Sequence, residues 1–222
     1  MDVDIRDSAS LKPAELDILS QVLREAGSPL EDTILDEQVE RFSRLTMVTE
    51  DDEVHGFLFG SLERIGGTPC VLWGLGATRN DTAPGPVLNA MTTELYRRAA
   101  ISFPDEDVLV AGRFAKPTLY ALFDDLQEPV PRPGYRASGE DRAWGRRLAK
   151  RFGCDDRYDD RAFRTSGNGR PEPMLDVDLG VEPEPAVAEL LAFLDPTRGD
   201  TLIAFGWAPA ESLAEVLAQN GR

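Results

Sequence analysis

The chain has 222 residues, 41% of them hydrophobic, which is enough to bury one sizeable core and excludes a disordered protein. Its formal net charge of -16 at pH 7 opposes binding to nucleic acid and to anionic membranes, so neither is expected as a partner. No apolar stretch approaches the roughly 20 residues of a membrane-spanning helix, and the start Met-Asp-Val-Asp lacks the basic residues of a signal peptide, so we expect a cytoplasmic protein.

The start of the chain predicts a strand followed by two helices. Residues 2–6 alternate between polar and apolar side chains, as a strand with one covered face does. An apolar stripe at helical spacing then runs from Ile18 to Ala26, and Gly27 is placed to end that helix. A second helix is predicted over about 31–44.

A hairpin and a buried strand are predicted next. Residues 45–49 and 54–64 form the two arms of the hairpin, and the second arm is apolar on both faces, as a central strand should be. Gly66 and Gly67 then turn the chain into a nearly continuous apolar run, Cys70 to Ala77. Such a run is typical of a strand that is covered on both faces.

A crossover helix follows this strand. After a loop at 79–86, apolar residues share one helical face at Val87, Leu88, Met91, Leu95 and Ala99. Residues 107–112 predict another buried strand, which a right-handed crossover would pair parallel to the strand before the helix.

This strand, loop and helix resembles the acyl-CoA-binding junction of the GNAT (GCN5-related N-acetyltransferase) superfamily, and the order of the elements before it is GNAT-like as well. The resemblance covers roughly residues 2–126. It implies a mixed, mostly antiparallel sheet flanked by helices, the acyl-CoA N-acyltransferase fold, in which the two N-terminal helices wall the acceptor side. We expect residues 1–126 to form this core, and the strands and helices of a C-terminal extension, 127–222, to pack on the same sheet.

The resemblance also implies a catalytic acid. Residues 114–126 predict a helix similar to the family helix with the pattern Asn-Pro-x-x-x-x-Tyr, although the asparagine is missing. Lys116-Pro117 stands at its start and Tyr120 at the family's tyrosine position, where the family residue protonates the departing CoA thiolate. A tyrosine that only packs on an amphipathic helix remains the alternative.

The cofactor loop matches the family less well. The family pattern is Arg/Gln-x-x-Gly-x-Gly/Ala, and with Gly85 in the last position its basic residue falls on Asn80. Pro84 and Pro86 lack an N–H that could hold a phosphate, so a well-capped helix start is the competing interpretation. The resemblance implies that acetyl-CoA or another acyl-CoA contacts the following residues: Leu75, Ala77, Arg79, Gly85, Val87 and Arg113.

Other catalytic groups are scarce. The strand from Cys70 to Ala77 contains no Asp, Glu or His that could serve as a general base, which leaves Glu63, at the end of the preceding strand, to act through water or simply to be exposed. Without a base, a neutral amine could attack the thioester directly. The hairpin should hold His55 far from Cys70, which excludes a Cys-His pair, and the cysteines show no metal-ligand spacing, so no metal is expected.

The C-terminal extension predicts a proline-rich connection at 127–137 and then a helix that Ser138 and Asp141 cap. Five basic residues on this helix form either a solvated face or an anion site: Arg142, Arg146, Arg147, Lys150 and Arg151. Residues 174–179 alternate as a strand does. A further strand is predicted at 201–207, between helices at 186–194 and 209–219.

Two functions follow from this sequence. The resemblance implies an acyltransferase that moves an acetyl or other acyl group from acyl-CoA to an amine of a small molecule. The alternative is a GNAT-fold protein that has lost CoA binding and serves as a binding or regulatory module, either alone or as a homodimer. The two prolines of the loop and the missing base favour the alternative, whereas Tyr120 favours the enzyme.

Overall fold

The computed structural model describes residues 1–195 and 198–219, which contain nine strands and six α-helices. The strands are β1 (Asp2–Asp7), β2 (Arg44–Glu50), β3 (Glu53–Ile65), β4 (Thr68–Thr78), β5 (Val108–Phe114), β6 (Gln127–Val130), β7 (Tyr158–Asp159), β8 (Arg164–Thr165) and β9 (Thr201–Ala208). The helices are α1 (Pro13–Glu25), α2 (Ile34–Arg41), α3 (Pro84–Ser102), α4 (Gly139–Phe152), α5 (Pro185–Leu191) and α6 (Ala210–Gln219). No helix among these residues is both long and apolar enough to cross a membrane.

The strands form one sheet in the order β1-β2-β3-β4-β5-β9-β8-β7, and β6 pairs with β9 as well. All neighbours are antiparallel except β4 and β5, which α3 connects and which pair parallel, as predicted. Helices flank both faces, because the Trp73 ring contacts Tyr96 of α3, whereas a side chain at Gly74 would meet Phe42, at the end of α2. The predicted fold class, a mixed and mostly antiparallel sheet flanked by helices, is confirmed.

The apolar pattern of α3 explains how the sheet is covered. Its predicted stripe, from Val87 to Ala99, is at most 2% exposed and packs on β2, β3 and β4. Because these side chains recur every three or four residues, they share the face of the helix that meets the sheet. The helix also packs on α6, which thereby lies against the first half of the molecule.

The strands β4 and β5 separate halfway along β4. Their pairing ends where Trp73 lies opposite Gly112. On the other edge of β4, the register with β3 changes between Leu58 and Gly60, so that two residues, Gly74 and Leu75, face one residue of β3. This β-bulge bends the strand. A cleft therefore opens between the C-terminal halves of β4 and β5.

A long connection joins β6 to β9, and its described residues, 131–195 and 198–200, include two short strands of the same sheet. They lie between β6 and β9, which are antiparallel neighbours, and they contain α4, α5 and the short strands β7 and β8. The start of α4 is the predicted capping box: the Asp141 amide donates to Ser138 Oγ over 3.1 Å, and the Ser138 amide donates to Asp141 Oδ2 over 2.7 Å. We call residues 131–200 the excursion.

Three predicted elements differ from the structure. The prediction of a helix over 114–126 is wrong: Phe114 ends β5 opposite Leu202, and only a short 3₁₀-helix, Pro117–Phe123, follows. The strand predicted over 174–179 contributes only bridges made by Leu175. The connection expected at 127–137 begins instead with β6, because it borders β9 and pairs with it.

Candidate functional site

The cleft between β4 and β5 is filled by the chain itself. The Leu175 amide donates to the Arg113 carbonyl and the Asp176 amide to the Gly76 carbonyl, each over 3.0 Å, and the Gly76 amide donates to the Met174 carbonyl over 3.4 Å. Leu175 thereby forms parallel bridges with both Gly76 of β4 and Phe114 of β5. We call residues 173–180 the cleft segment, since they rejoin the two strands beyond the point where those strands part.

Side-chain packing anchors the cleft segment. Leu175 is fully buried and Val177 is 1% exposed. A Cβ atom added at Gly76 would lie 2.9 Å from Leu175 Cδ1, so the missing side chain of Gly76 makes the space that Leu175 occupies. Burial of one such side chain contributes roughly 1.5 to 3 kcal/mol, which makes the segment a stable part of the fold.

Three residues predicted to contact acyl-CoA are buried in the core. Leu75 is fully buried, Ala77 is 1% exposed and Val87, in the first turn of α3, is 2% exposed. Between Leu75 and Ala77, both backbone groups of Gly76 are engaged by the cleft segment. Gly85 differs from them, because a Cβ atom placed there would meet no atom within 4 Å.

Arg79, the predicted cation of the loop, is surrounded by carboxylates. Its guanidinium lies 3.0 Å from Glu25, 3.1 Å from Glu53 and 3.2 Å from Asp81. A pyrophosphate would have to compete with all three for the same positive charge. The sequence could not reveal this cluster, because Glu25 ends α1 and Glu53 begins β3.

The space beside this loop is acidic as well. A cavity of about 230 Å³ lies between residues 78–84 and the end of the cleft segment, where Asp176 and Asp178 line it. Lys116 also lines it, but its ammonium group is paired with Asp176 over 2.8 Å. Among the described residues that line this cavity, a polyanionic ligand would therefore meet several carboxylates and no cation that lacks a partner.

Arg113 is part of a buried ion-pair network. It is 3% exposed, its Nε donates to Thr201 Oγ1 over 2.9 Å, and its Nη2 lies 3.1 Å from Glu172 Oε2. Arg157 pairs with the other carboxylate oxygen of Glu172 over 2.9 Å. Burial alone would raise the pKa of Glu172, but the hydrogen bonds and charges of the two arginines lower it. The network holds the chain that leads into the cleft segment.

Tyr120 lies on the short 3₁₀-helix and is 3% exposed. Its hydroxyl donates a hydrogen bond to the Pro131 carbonyl, and its ring packs against Phe123 with the centroids 6.0 Å apart. Burial, followed by the negative charge of Asp124, raises the pKa of Tyr120 to about 12. The hydroxyl is therefore protonated at neutral pH and engaged with the backbone.

Glu63 is paired with Arg151 over 2.7 Å, and the same arginine donates to the Arg41 carbonyl over 2.7 Å. In the sheet Glu63 lies opposite Cys70, six residues before Gly76 on β4. At about 3.3 Å per residue, some 20 Å of strand separates this position from the filled part of the cleft. The structure therefore does not bring Glu63 to the cleft.

The remaining candidates lie apart from the cleft. The His55 carbonyl accepts from the amide of Arg79, near the end of β4, whereas Cys70 lies near its start, and burial raises the pKa of Cys70 to about 11. On α4, Arg146 pairs with Asp160, and Arg147 stacks over the Trp144 ring. No group of three or more potential metal ligands is found in the part of the chain that the structure describes.

A larger cavity, of about 650 Å³, was not predicted. It lies beside the cleft segment, and its walls come from five places that are distant in sequence: 28–30, 115–117, 169–176, 188–194 and Gly199. No motif links these stretches, and none of them carries an unusual local pattern. The cavity exists because the excursion folds back against the loop between α1 and α2.

Comparisons with known proteins find no matching family model and no matching curated protein. The chain is similar to the solved structure of a GNAT-family acetyltransferase from Brucella melitensis in complex with acetyl-CoA, with 17% identity over 55% of this chain and 82% of that one and a TM-score of 0.39. It is similar to an acyl-CoA N-acyltransferase from Pseudomonas aeruginosa, with 16% identity over 55% of this chain and 84% of that one and a TM-score of 0.42. It is also similar to the ribosomal-protein-S18-alanine N-acetyltransferase from Escherichia coli, with 12% identity over 63% of this chain and 86% of that one and a TM-score of 0.43. These similarities are too distant to carry an argument about activity.

Proposed function

We propose that this protein does not bind acyl-CoA and works as a non-catalytic binding or regulatory module on an acyltransferase-like fold. One observation carries the proposal: the cleft segment forms backbone hydrogen bonds with Gly76 and Arg113, on both edges of the cleft. A strand edge that is already paired has no free amide or carbonyl to offer a ligand.

The energetics support the same conclusion. For acyl-CoA to enter, the cleft segment would have to leave and expose Leu175 and Val177, at a cost of roughly 1.5 to 3 kcal/mol for each side chain. The phosphates would then approach Asp176 and Asp178, while the charges of Arg79 and Arg113 are engaged by carboxylates. Packing and electrostatics therefore both oppose the ligand.

A second candidate is acyl transfer from acetyl-CoA or another acyl-CoA to an amine of a small molecule. It is favoured by the irregular form of the cleft segment, in which Leu175 alone makes strand-like bridges and the Lys116–Asp176 ion pair is partly exposed. In this case the segment would act as a displaceable blocker. Tyr120 would serve as the acid, and a neutral amine would attack the thioester directly, because Glu63 lies away from the cleft.

Calorimetric titration with acetyl-CoA, at low and at high salt, separates the two functions. We expect no saturable heat and no thermal shift, whereas a binding ligand at a hundred times its Kd would stabilise the fold by about 2.7 kcal/mol. Micromolar binding by the wild-type chain would overturn the proposal in favour of the enzyme. Release of free thiol from acetyl-CoA with a panel of amines is the matching activity assay.

A variant of the cleft segment makes this test sharper. Leu175→Ser combined with Val177→Ser weakens both anchors, and Val181→Ser is the matched control because Val181 is 56% exposed. Binding by the double variant alone would show that the cleft recognises CoA and that the segment blocks it. Absence of binding by a folded double variant would support a cleft that has lost the cofactor.

A further inference from the structure

The 650 Å³ cavity has the dimensions of a small-molecule site. Pockets that hold cofactors and drug-sized ligands measure roughly 300 to 1,000 Å³. Pro29 and Leu30 form one wall, Pro117 and Met174 another, and Leu191 of α5 a third. The surface that a ligand would contact is thus mainly apolar, and Met174 and Asp176 of the cleft segment form part of it.

Some charged groups around this cavity have ion-pair partners and one does not. Asp176 is paired with Lys116 over 2.8 Å, and Glu172 is paired with Arg113 and Arg157 over 3.1 and 2.9 Å. Arg170 lines the cavity and is exposed, yet it has no ion pair with any residue in the described ranges. Among the described residues that line the cavity, Arg170 is therefore the one positive charge without an acidic partner, and it stands beside apolar walls.

We propose that this cavity binds an amphipathic carboxylate, whose aliphatic or aromatic body contacts the apolar walls and whose carboxylate pairs with Arg170. The inference rests on the proposed function, since it names what the binding module would bind. An amine is a poor fit, because both acidic groups of the wall already have partners. A guanidinium is well suited to a carboxylate, which it can hold through two parallel hydrogen bonds.

The test is calorimetric titration of the full-length protein with decanoate. We expect saturable binding of one decanoate per chain, roughly tenfold weaker binding of octanoate because two methylenes are missing, and much weaker binding of decylamine and decanol. Absence of saturable decanoate binding would overturn the proposal. So would equal affinity for decylamine, since the site would then not recognise the carboxylate.

Three variants assign the binding to this cavity. Arg170→Gln should weaken decanoate binding at least tenfold, whereas Arg136→Gln, at an exposed arginine that does not line the cavity, should leave it unchanged. Ala188 is an exposed residue of α5 that lines the cavity, so Ala188→Trp should fill the space and abolish binding. Thermal unfolding and circular dichroism confirm that each variant is folded.

The outcomes also separate this proposal from the previous one. If acetyl-CoA binds, the proposed absence of CoA binding fails while the effect of Arg170→Gln on decanoate still decides the ligand of the cavity. If decanoate binds wild type and Arg170→Gln equally, the proposal that Arg170 pairs with a carboxylate fails. The acetyl-CoA titration then still decides whether the protein binds CoA.

Discussion

At the scale of single residues, Gly76 and Leu175 limit each other's size. A Cβ atom at Gly76 would lie 2.9 Å from Leu175 Cδ1 and equally close to Leu58 Cδ1, which is tighter than side chains tolerate. The glycine is thus required by the two leucines that pack against it, Leu175 and Leu58, and not by a turn. Substitutions at the two positions should be energetically coupled.

We expect Gly76→Ala to lower the free energy of unfolding by about 1 to 3 kcal/mol through overpacking, and Leu175→Ala to lower it by about 2 to 5 kcal/mol through the cavity it leaves. The double variant should lose less than the sum, because the alanine at 175 removes one of the two leucine contacts that crowd the new methyl group. Urea unfolding of the four proteins gives the coupling energy.

Gly85→Ala is the matched control for this cycle. Gly85 lies in the first turn of α3 with no atom near its added Cβ, so the substitution should be neutral or stabilise by up to about 1 kcal/mol. Strict additivity of Gly76→Ala and Leu175→Ala would contradict the close packing of the two residues.

The ion-pair network gives a second prediction. Glu172→Gln leaves the buried Arg113 without a negative partner, so it should destabilise the fold by roughly 3 kcal/mol in thermal or chemical unfolding. Glu106→Gln removes a similar pair, with Arg64, at the surface, and should have a much smaller effect.

The loss of stability caused by Glu172→Gln should depend on pH in a defined direction. The pKa of Glu172 is lowered in the folded state, so its contribution to stability is present above the usual glutamate pKa and is lost as the pH falls through the folded value. The difference between wild type and Glu172→Gln should therefore shrink below about pH 4. A difference that stays constant down to pH 2 would contradict a charge-based role.

Residue environments were predictable where they depend on local pattern. The apolar run around Leu75 and Ala77 predicted a buried strand, and both residues are buried. The partners of Arg79 were not predictable, because two of its three carboxylates come from α1 and β3 and meet it only in the folded sheet. Charge in a sequence does not reveal which charges will be neutralised.

At the scale of elements, the sequence predicted features that depend on local patterns, but not those that depend on long-range contacts. The stripe of α3 and the capping box of α4 were predictable because each depends on residues within a few turns of one helix. The 114–126 segment was predicted as a long helix because its apolar spacing fits one, but pairing of Phe114 with β9 extends the strand instead. Sheet neighbours from distant parts of the chain thus override local propensity.

The cleft segment leads to a third prediction at this scale. The amides of Leu175 and Asp176 donate to β5 and β4, so hydrogen exchange should be slow there, by roughly a hundredfold or more relative to the exposed residues Val181 and Glu182. Exchange resolved by mass spectrometry or NMR measures this directly. Fast exchange at both amides would show that the segment leaves the cleft often, and would favour the displaceable blocker.

At the scale of the whole molecule, the two halves of the chain share one sheet. β9 pairs with every residue of β5, from Val108 opposite Ala208 to Phe114 opposite Leu202, and β5 is buried along its whole length. The sequence predicted the strands on each side of this junction. It could not predict that the cleft would be closed from within, since alternation over 174–179 does not say where a strand will pair.

We therefore predict that a fragment of residues 1–126 does not fold alone. Its β5 edge would lose β9, its cleft would lose Leu175, and the buried face of β5 would meet water. Circular dichroism and size-exclusion chromatography should show an unfolded or aggregated fragment, whereas the full chain unfolds in one transition. A soluble fragment with a cooperative melt would contradict the prediction and support an independent core.

The excursion has a consequence for how this molecule could vary in length. Because β6 and β9 are hydrogen-bonded neighbours, the two ends of the excursion lie close together in the sheet. The entropic cost of closing such a loop, as a free energy, grows only with the logarithm of its length, by about 0.6 kcal/mol for each doubling. A shorter connection could thus join the same two strands, and the cleft between β4 and β5 would then stand open.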